Sequence, residues 1–235
     1  MIIAPTKIDM FVELLRKGKP FAFSRYGDGE WISIFGVTAG ANRDGNRYLP
    51  ELGAALRSVL ESRPPYMLST HQLALQLFGR AIDDYLRRIG LLDRPWYDSD
   101  VFHHTISHPE CFDGWRAFLA ELRKRPVVVV GPPYMKGPLS ELIGAREFVF
   151  TPDRDSILVV DRLAQETREA ARKCGDAAVI CISCGMAAEV LLDAVYEPDR
   201  YTIIDCGSVW DPYCGCPRAR YARRLSKDPS WQWPR

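Results

Sequence analysis

Asp28 and Glu30, one residue apart in Arg25-Tyr-Gly-Asp-Gly-Glu30, are the pair of side chains in this chain whose types and spacing most directly suggest chemistry. Carboxylate oxygens suit a hard divalent cation, Mn²⁺ or Mg²⁺, which takes few ligands from protein and fills its remaining positions with water and substrate phosphate. Gly27 and Gly29 flank Asp28 and let the backbone turn tightly or come close to a ligand. Arg25 adds a planar cation suited to phosphate. Together these groups fit a nucleotide diphosphate, with Asp28 and Glu30 as candidate metal ligands and candidate catalytic carboxylates. One of the two could instead serve as general base on an acceptor hydroxyl.

The flanking pattern says how this group is held. Phe21–Phe23 after Pro20 is a short apolar run, and Trp31-Ile-Ser-Ile-Phe35 resumes the pattern, which predicts strand, loop and then helix. Ahead of it, Thr6 and Asp9 have the spacing of a capping box, and Ile8, Phe11, Val12 and Leu15 share one face of a helix that Gly18 closes. Residues 36–48 read as a long loop. Helices follow at Leu52–Leu60 and Leu75–Ile89, the latter closed by Gly90, with a short strand at Tyr66–Leu68 between them. Residues 96–108 read as a polar, aromatic stretch holding His103, His104 and His108, which could serve metal or acid-base work but without a partner motif read first as surface or structural histidines. From Val127 the order is regular: strands at 127–130, 148–150, 177–183 and 201–205, and helices at 155–173 and 186–196. Alternation of this kind predicts an α/β domain with a mostly parallel, Rossmann-like sheet covered by helices on both faces. Such sheets bind ligands beyond the carboxyl ends of their strands, which adds Gly131, Ser183, Gly185 and Asp205 to Arg25, Gly27 and Gly29 as candidate binding residues. Gly185, before a helix, could leave backbone N–H groups free for phosphate.

Arg25-Tyr-Gly-Asp-Gly-Glu30 resembles the Asp-x-Glu signature of the GT-D fold glycosyltransferases. Two later stretches resemble further elements of that family in order and spacing: Ser183-Cys-Gly-Met-Ala-Ala188, with its Gly-x-x-Ala, and Asp205-Cys-Gly207 as Asp-x-Gly. Ser208 stands where the family pattern has His, and the nearby acid is Asp211. The resemblance spans residues 20–215. It implies a GT-D type fold and a metal-dependent transfer of a sugar from a nucleotide-diphosphate sugar, a UDP-sugar, to a hydroxyl acceptor. On that reading Asp28 and Glu30 hold the cation, Arg25 assists at the phosphates, and Asp205 lies near ribose or sugar hydroxyls. Two other classes use the same features: a phosphohydrolase or nucleotidyl enzyme on the same metal, and a non-catalytic nucleotide- or nucleic-acid-binding module. Neither a P-loop nor a Gly-x-Ser-x-Gly elbow is present in the sequence, which argues against a P-loop NTPase or an ordinary serine hydrolase.

At 235 residues, 47% hydrophobic and 26% charged, the chain suits one large α/β domain, taken as residues 1–216, followed by a basic tail, 217–235. No apolar run reaches the ~18 residues of a membrane span, and Lys7 and Asp9 interrupt the start, so a cytoplasmic location is expected. Seven cysteines then read as reduced thiols. Cys181 and Cys184 form a Cys-x-x-Cys, but on a strand their sulfurs would face opposite ways, so they are expected to pack rather than bind zinc. The tail carries a net charge of +5 and the remainder −4. Arg220, Arg223, Arg224 and Lys227 have the spacing of one helical face, with Trp231 and Trp233 as aromatic surface beyond. This suggests a polyanionic acceptor, DNA bearing a hydroxymethylated base, held by phosphate contacts and stacking; a plain solvated tail has the same composition.

Overall fold

The computed structural model describes residues 1–216 and 232–235. In chain order the elements are β1 (Ile3–Ala4), α1 (Ile8–Lys17), β2 (Ala22–Tyr26), α2 (Asp28–Ile34), α3 (Pro50–Glu61), β3 (Met67–Thr70), α4 (Gln72–Ile89), β4 (Trp96–Asp98), α5 (Val101–Ser107), α6 (Phe112–Arg123), β5 (Val127–Gly131), α7 (Lys136–Ile143), β6 (Ala145–Phe150), α8 (Val160–Cys174), β7 (Val179–Ile182), α9 (Ala188–Val195) and β8 (Thr202–Asp205). The strands form one sheet in the order β1-β4-β3-β2-β8-β7-β5-β6, and every neighbouring pair is parallel. The early half of the chain builds one side of the sheet and the late half the other. They meet at β2 and β8, so the crevice beyond the carboxyl ends of these central strands is where such a sheet receives its ligand.

Both faces are covered, which is why the strands read as continuous apolar runs. On β5, Val128 and Val130 belong to the core layer that α2, α3, α4, α8 and α9 cover, while Val127 and Val129 belong to the layer under α1, α5, α6 and α7. The same alternation sends Cys181 into the second layer and places Cys184, just past the strand, in the first. Helix α1 buries Ile8, Phe11, Val12 and Leu15 and ends at Gly18 in the left-handed region, φ 64°. Trp31 anchors α2: its ring is fully buried, and its Nε1 donates to Thr70 Oγ1, which in turn donates to the Tyr26 carbonyl. The signature helix is thereby fixed to both β2 and β3.

Several expectations are corrected. Thr6 does not cap α1; Lys7 holds that position, and the Thr6 hydroxyl donates to the Ala4 carbonyl and accepts from Asp98 N, joining the ends of β1 and β4. Residues 96–108 are not irregular but form β4 and α5. The segment beginning at Asp155 starts as a 3₁₀ turn, Ser156–Val159, before α8, because Asp155 itself is left-handed with φ 54°. Trp233 is not open aromatic surface: it is partly buried and packs on Tyr213, whose hydroxyl donates to the Pro234 carbonyl. The predicted basic helix with Arg220, Arg223, Arg224 and Lys227, and Trp231 beyond it, lies outside the described residues. Among the described residues, no helix is long and apolar enough to cross a membrane.

One buried charge cluster gives a clear stability expectation. Glu121 on α6 is buried and contacts Lys124 Nζ at 2.8 Å, Arg125 Nη1 at 3.0 Å and Arg16 Nε at 3.2 Å. The Lys124 hydrogen bond, with those of Arg125 and Arg16, pulls its carboxyl down to about 2. A carboxyl depressed on folding contributes stability that is full above its unfolded value and fades as pH falls toward the folded one. Glu121→Gln is therefore expected to cost about 1–2 kcal/mol at pH 7, since Lys124 and Arg16 stay largely solvated. Urea titrations should show that difference shrinking between about pH 5 and pH 2.

Candidate functional site

Asp28 and Glu30 do not lie in a loop. Gly27 is extended and caps α2, so the two carboxylates occupy the first turn of a helix at the crest of β2. Glu30 Oε2 accepts a hydrogen bond from Gly27 N at 2.8 Å, so one of its oxygens satisfies the helix start. Burial pushes the Glu30 carboxyl up to about 7, with the charges of Asp205 and Asp28 adding to the rise against the hydrogen bonds at the helix start. Asp28 points outward, with a side chain 55% exposed. His71, the N-cap of α4, stands beside it: Nε2 is 3.2 Å from Asp28 N and 3.9 Å from Asp28 Oδ1, while Nδ1 is 3.1 Å from Ala74 N. Each ring nitrogen thus faces a backbone N–H at the start of a helix, Asp28 N of α2 at Nε2 and Ala74 N of α4 at Nδ1, so the imidazole ties the two helix starts together.

Arg25 lies on the floor of the crevice. Its Nε donates to the Ser99 carbonyl at 2.9 Å, Nη1 is 3.9 Å from Asp205 Oδ1, and its guanidinium presses on Gly207, where any Cβ would collide with it. Gly207, with φ 54°, leaves the room Arg25 occupies, which gives the Asp-x-Gly spacing a physical reason. Glu189, on the first turn of α9, completes the group. It is 1% exposed, one of its oxygens has no hydrogen-bond partner, and the other side of the carboxyl meets Asp205. Two buried carboxyls facing each other disfavour each other's ionisation. Burial raises both, Glu189 the more strongly because Glu30 and Asp205 face it, while Arg25 holds Asp205 back. For Arg25, burial disfavours the charge, but Asp205, Asp100, Glu189 and Glu30 outweigh it and raise the guanidinium further. Three carboxyls thus surround one fixed cation, an arrangement short of positive charge.

The other candidates divide. Gly29 belongs to this group: a Cβ there would stand 2.7 Å from Met186 Sδ, so α2 and the turn before α9 are in close contact. Gly185 is left-handed, φ 67°, and lies under Asn46, whose Oδ1 accepts from Asp155 N. Arg47 binds the Asp155 carboxylate through N and Nε, so the 36–48 loop is strapped across Gly185, and an Asn46 amide sits where a phosphate was expected. Gly131 stands apart. It is three strand spacings from β2, about 14 Å, and its missing side chain makes room for Met135 Sδ. Ser183 is beside it, with a buried hydroxyl that has no partner.

Sequence reasoning passed over Glu189, His71, Ser99 and Asp100, and it read His103 as a surface or structural histidine ahead of an acid-base one. Glu189 carried a signal, since it falls in the buried stripe of α9 with Ala188, Leu191 and Leu192. His104 and His108 are exposed and stacked at 4.0 Å on the outer surface, as expected. His103 is different: Nδ1 is 3.9 Å from Asp100 Oδ1 and Nε2 is 3.4 Å from Ser208 Oγ, at the end of β8.

An all-parallel sheet covered on both faces, with an acidic and arginine-bearing crest over its central strands, is a doubly wound α/β architecture. Solved structures narrow this further. The chain is similar to a glycosyltransferase (domain of unknown function 1792) from Streptococcus sanguinis, with 20% identity and a TM-score of 0.64 over 88% of this chain and 82% of that one. It is also similar to a selenomethionine-substituted structure of the same domain, at 16% identity and TM-score 0.61 over 88% and 79%. A third, at 18% identity and TM-score 0.59 over 88% and 79%, is described as a highly conserved domain with a distinct glycosyltransferase fold. This chain has that fold. No protein-family model matches it, and no curated protein is significantly similar in sequence.

Proposed function

We propose that this protein is a glycosyltransferase that moves a sugar from a nucleotide-diphosphate sugar to a hydroxyl acceptor, with a divalent cation held by Asp28 and Glu30. The observation that carries the reading is the crest itself: an outward-facing Asp28 and a half-free Glu30 beside Arg25, on a sheet of the glycosyltransferase fold. The donor set fits Mn²⁺ or Mg²⁺. Among the described residues no three His, Cys, Asp or Glu converge as a ready metal cage, but a two-carboxylate site completed by phosphate oxygens and water needs none. When bound, the cation neutralises the charge that builds on the departing diphosphate. The chain's own residues do the rest. Arg25 is locked by Ser99 and Asp205 in a single pose and presents a fixed positive field to the phosphates. Trp31 and the Gly27 cap keep the two carboxylates at a fixed height above β2. The Asn46–Arg47 strap covers the Gly185 turn and limits the entry of water.

A panel of nucleotide sugars, UDP-sugars first, incubated with Mn²⁺ and mixed acceptors and read by product mass spectrometry, tests this. Transfer is the expected result; donor cleavage at the same rate with and without any acceptor would make the protein a phosphohydrolase instead. The panel includes DNA carrying hydroxymethylated bases, because the net charge of +5 in residues 217–235 favours a polyanionic acceptor. If DNA is the acceptor, transfer falls steeply with salt. Arg220, Arg223 and Arg224 replaced together by Ala then weaken DNA binding and flatten that slope while leaving donor binding unchanged. Transfer to a small acceptor that ignores salt removes DNA from the proposal.

A further inference from the structure

We propose that His103 is the group that takes the proton from the acceptor hydroxyl, held for this by Asp100 on one ring nitrogen and facing Ser208 with the other. The inference rests on the sugar-transfer reading above and supplies the base that reading lacks.

The geometry begins at Arg25. Its guanidinium touches the Ser99 carbonyl on one side and Gly207 on the other. The residues that follow these two contacts, Asp100 and His103 at the start of α5 and Ser208 after β8, are the ones that come together. A carboxylate, an imidazole and a hydroxyl therefore line up in sequence beside the acidic crest, from segments 105 residues apart in the chain. With the Asp100 carboxylate at Nδ1, that nitrogen carries the proton and Nε2 offers its lone pair toward the Ser208 hydroxyl. Ser208 Oγ lies 3.4 Å from Nε2 and marks the side from which an acceptor hydroxyl would meet that nitrogen.

The other groups of the crest are committed elsewhere. Asp205 and Glu189 face each other beneath Arg25, and Glu30 caps α2. Among the described residues, the charged groups facing His103 are Arg25 from β2, His71 from the turn before α4 and Asp100 from its own element. Burial lowers the imidazole below its usual value, Asp100 opposes this, and Arg25 and His71 add to the lowering. Burial would raise Asp100, but its contact with His103 and the charges of His71, His103 and Arg25 outweigh it, and the carboxyl ends below its usual value. The pair therefore stands as carboxylate and neutral imidazole at physiological pH, the state a base requires. In the transfer the acceptor oxygen bonds to the anomeric carbon as the bond from that carbon to the diphosphate oxygen breaks. That bond's electron pair leaves with the nucleoside diphosphate, and the acceptor's proton passes to Nε2. The imidazolium formed is stabilised by Asp100 and returns its proton to solvent.

The test compares the full chain with His103→Gln, His103→Ala, Asp100→Asn and Ser208→Ala, after circular dichroism shows each to be folded. His103→Gln is expected to lower kcat by roughly 10²- to 10⁴-fold, as the loss of a general base does. The donor KM and calorimetric binding of the nucleoside diphosphate with Mn²⁺ should stay at wild-type values. Imidazole in the buffer restores part of the rate to His103→Ala. In wild type, kcat/KM falls on the acid side with the imidazole, and in Asp100→Asn that limb moves to lower pH, because the carboxylate that favours protonation is gone. Ser208→Ala keeps its rate within about tenfold, as a hydroxyl that only shares Nε2 would allow. A wild-type rate and unchanged acid limb in His103→Gln overturn the proposal while sugar transfer stands; so does complete inactivity of Ser208→Ala, which would make that hydroxyl the reacting group. ¹⁵N spectra of His103 give a reading independent of turnover: Nδ1–H is expected, and Nε2–H overturns the proposal. Wild-type protein that transfers no sugar in the full panel fails the functional reading itself.

Discussion

Asp28→Asn is expected to leave the fold untouched and remove at least roughly 10³-fold from the transfer rate, since the electrostatic help of a bound cation is worth several kcal/mol and each ~1.4 kcal/mol is tenfold. The side chain is more than half exposed, and its ion-pair contact is His71 Nε2 at 3.9 Å, so the amide replaces it without strain or a lost core contact. Thermal midpoints of the two proteins should agree within a degree or two. What changes is the ligand: an amide keeps the shape but lacks the charge a hard cation requires. The loss should therefore appear first as a raised Mn²⁺ requirement in a metal titration of the rate, with partial recovery at high metal. Glu30→Gln behaves differently. It weakens the metal site too, but burial already disfavours the Glu30 charge and an amide oxygen can still accept from Gly27 N, so stability at pH 7 is expected to stay within about 1 kcal/mol of wild type while the rate falls. Near-normal, metal-independent activity in Asp28→Asn would remove the cation from the mechanism.

The fold was largely legible because its signals are local and strong. Val127–Val130 can only be a strand buried on both faces, and Ile8, Phe11, Val12 and Leu15 before Gly18 can hardly be anything but a capped helix. β4 escaped notice because three residues, Trp96–Asp98, are too few to establish a period, and its identity comes from pairing with β3 and β1. The same holds for Thr6: its spacing to Asp9 satisfies a capping rule, but Asp98 N, 92 residues away, claims the hydroxyl first. In the site, Arg25, Asp28, Glu30 and Asp205 were legible as acids and bases at strand ends. Their partners were not. Glu189 looks like one more helical acid until tertiary packing seals it against Asp205, and His103 is one of three neighbouring histidines until β8 brings Ser208 to it. Gly131 was legible only as a strand-end glycine; what the sequence did not show is that its missing side chain makes room for the Met135 sulfur.

Removing Arg25, the one cation among the described residues in that sealed acidic group, should be costly. Arg25→Met keeps the length of the side chain's stem but leaves Asp205, Glu189 and Glu30 facing one another with no fixed counter-charge, and breaking a buried ion pair from one side costs about 3–5 kcal/mol. It also strips the Ser99 carbonyl of its donor. The cost depends on pH in a direction the burial of the acids fixes. Burial raises Glu189, Asp205 and Glu30 above their unfolded values, so each binds its proton more tightly in the folded state. Such groups favour folding at low pH and disfavour it as pH rises through their folded values. Without Arg25 to favour the charged form of Asp205, that rise is larger. Urea denaturation of metal-free protein should therefore show Arg25→Met well below wild type at pH 8, with the gap narrowing toward pH 5 as the carboxyls take up protons. Added Mn²⁺ should recover part of the lost stability at pH 8, because a bound cation supplies the missing charge and stabilises the folded form by mass action. A gap that stays constant across this range would mean that Arg25 acts through its packing on Gly207 and its bond to Ser99, and that the acids beneath it are not short of positive charge.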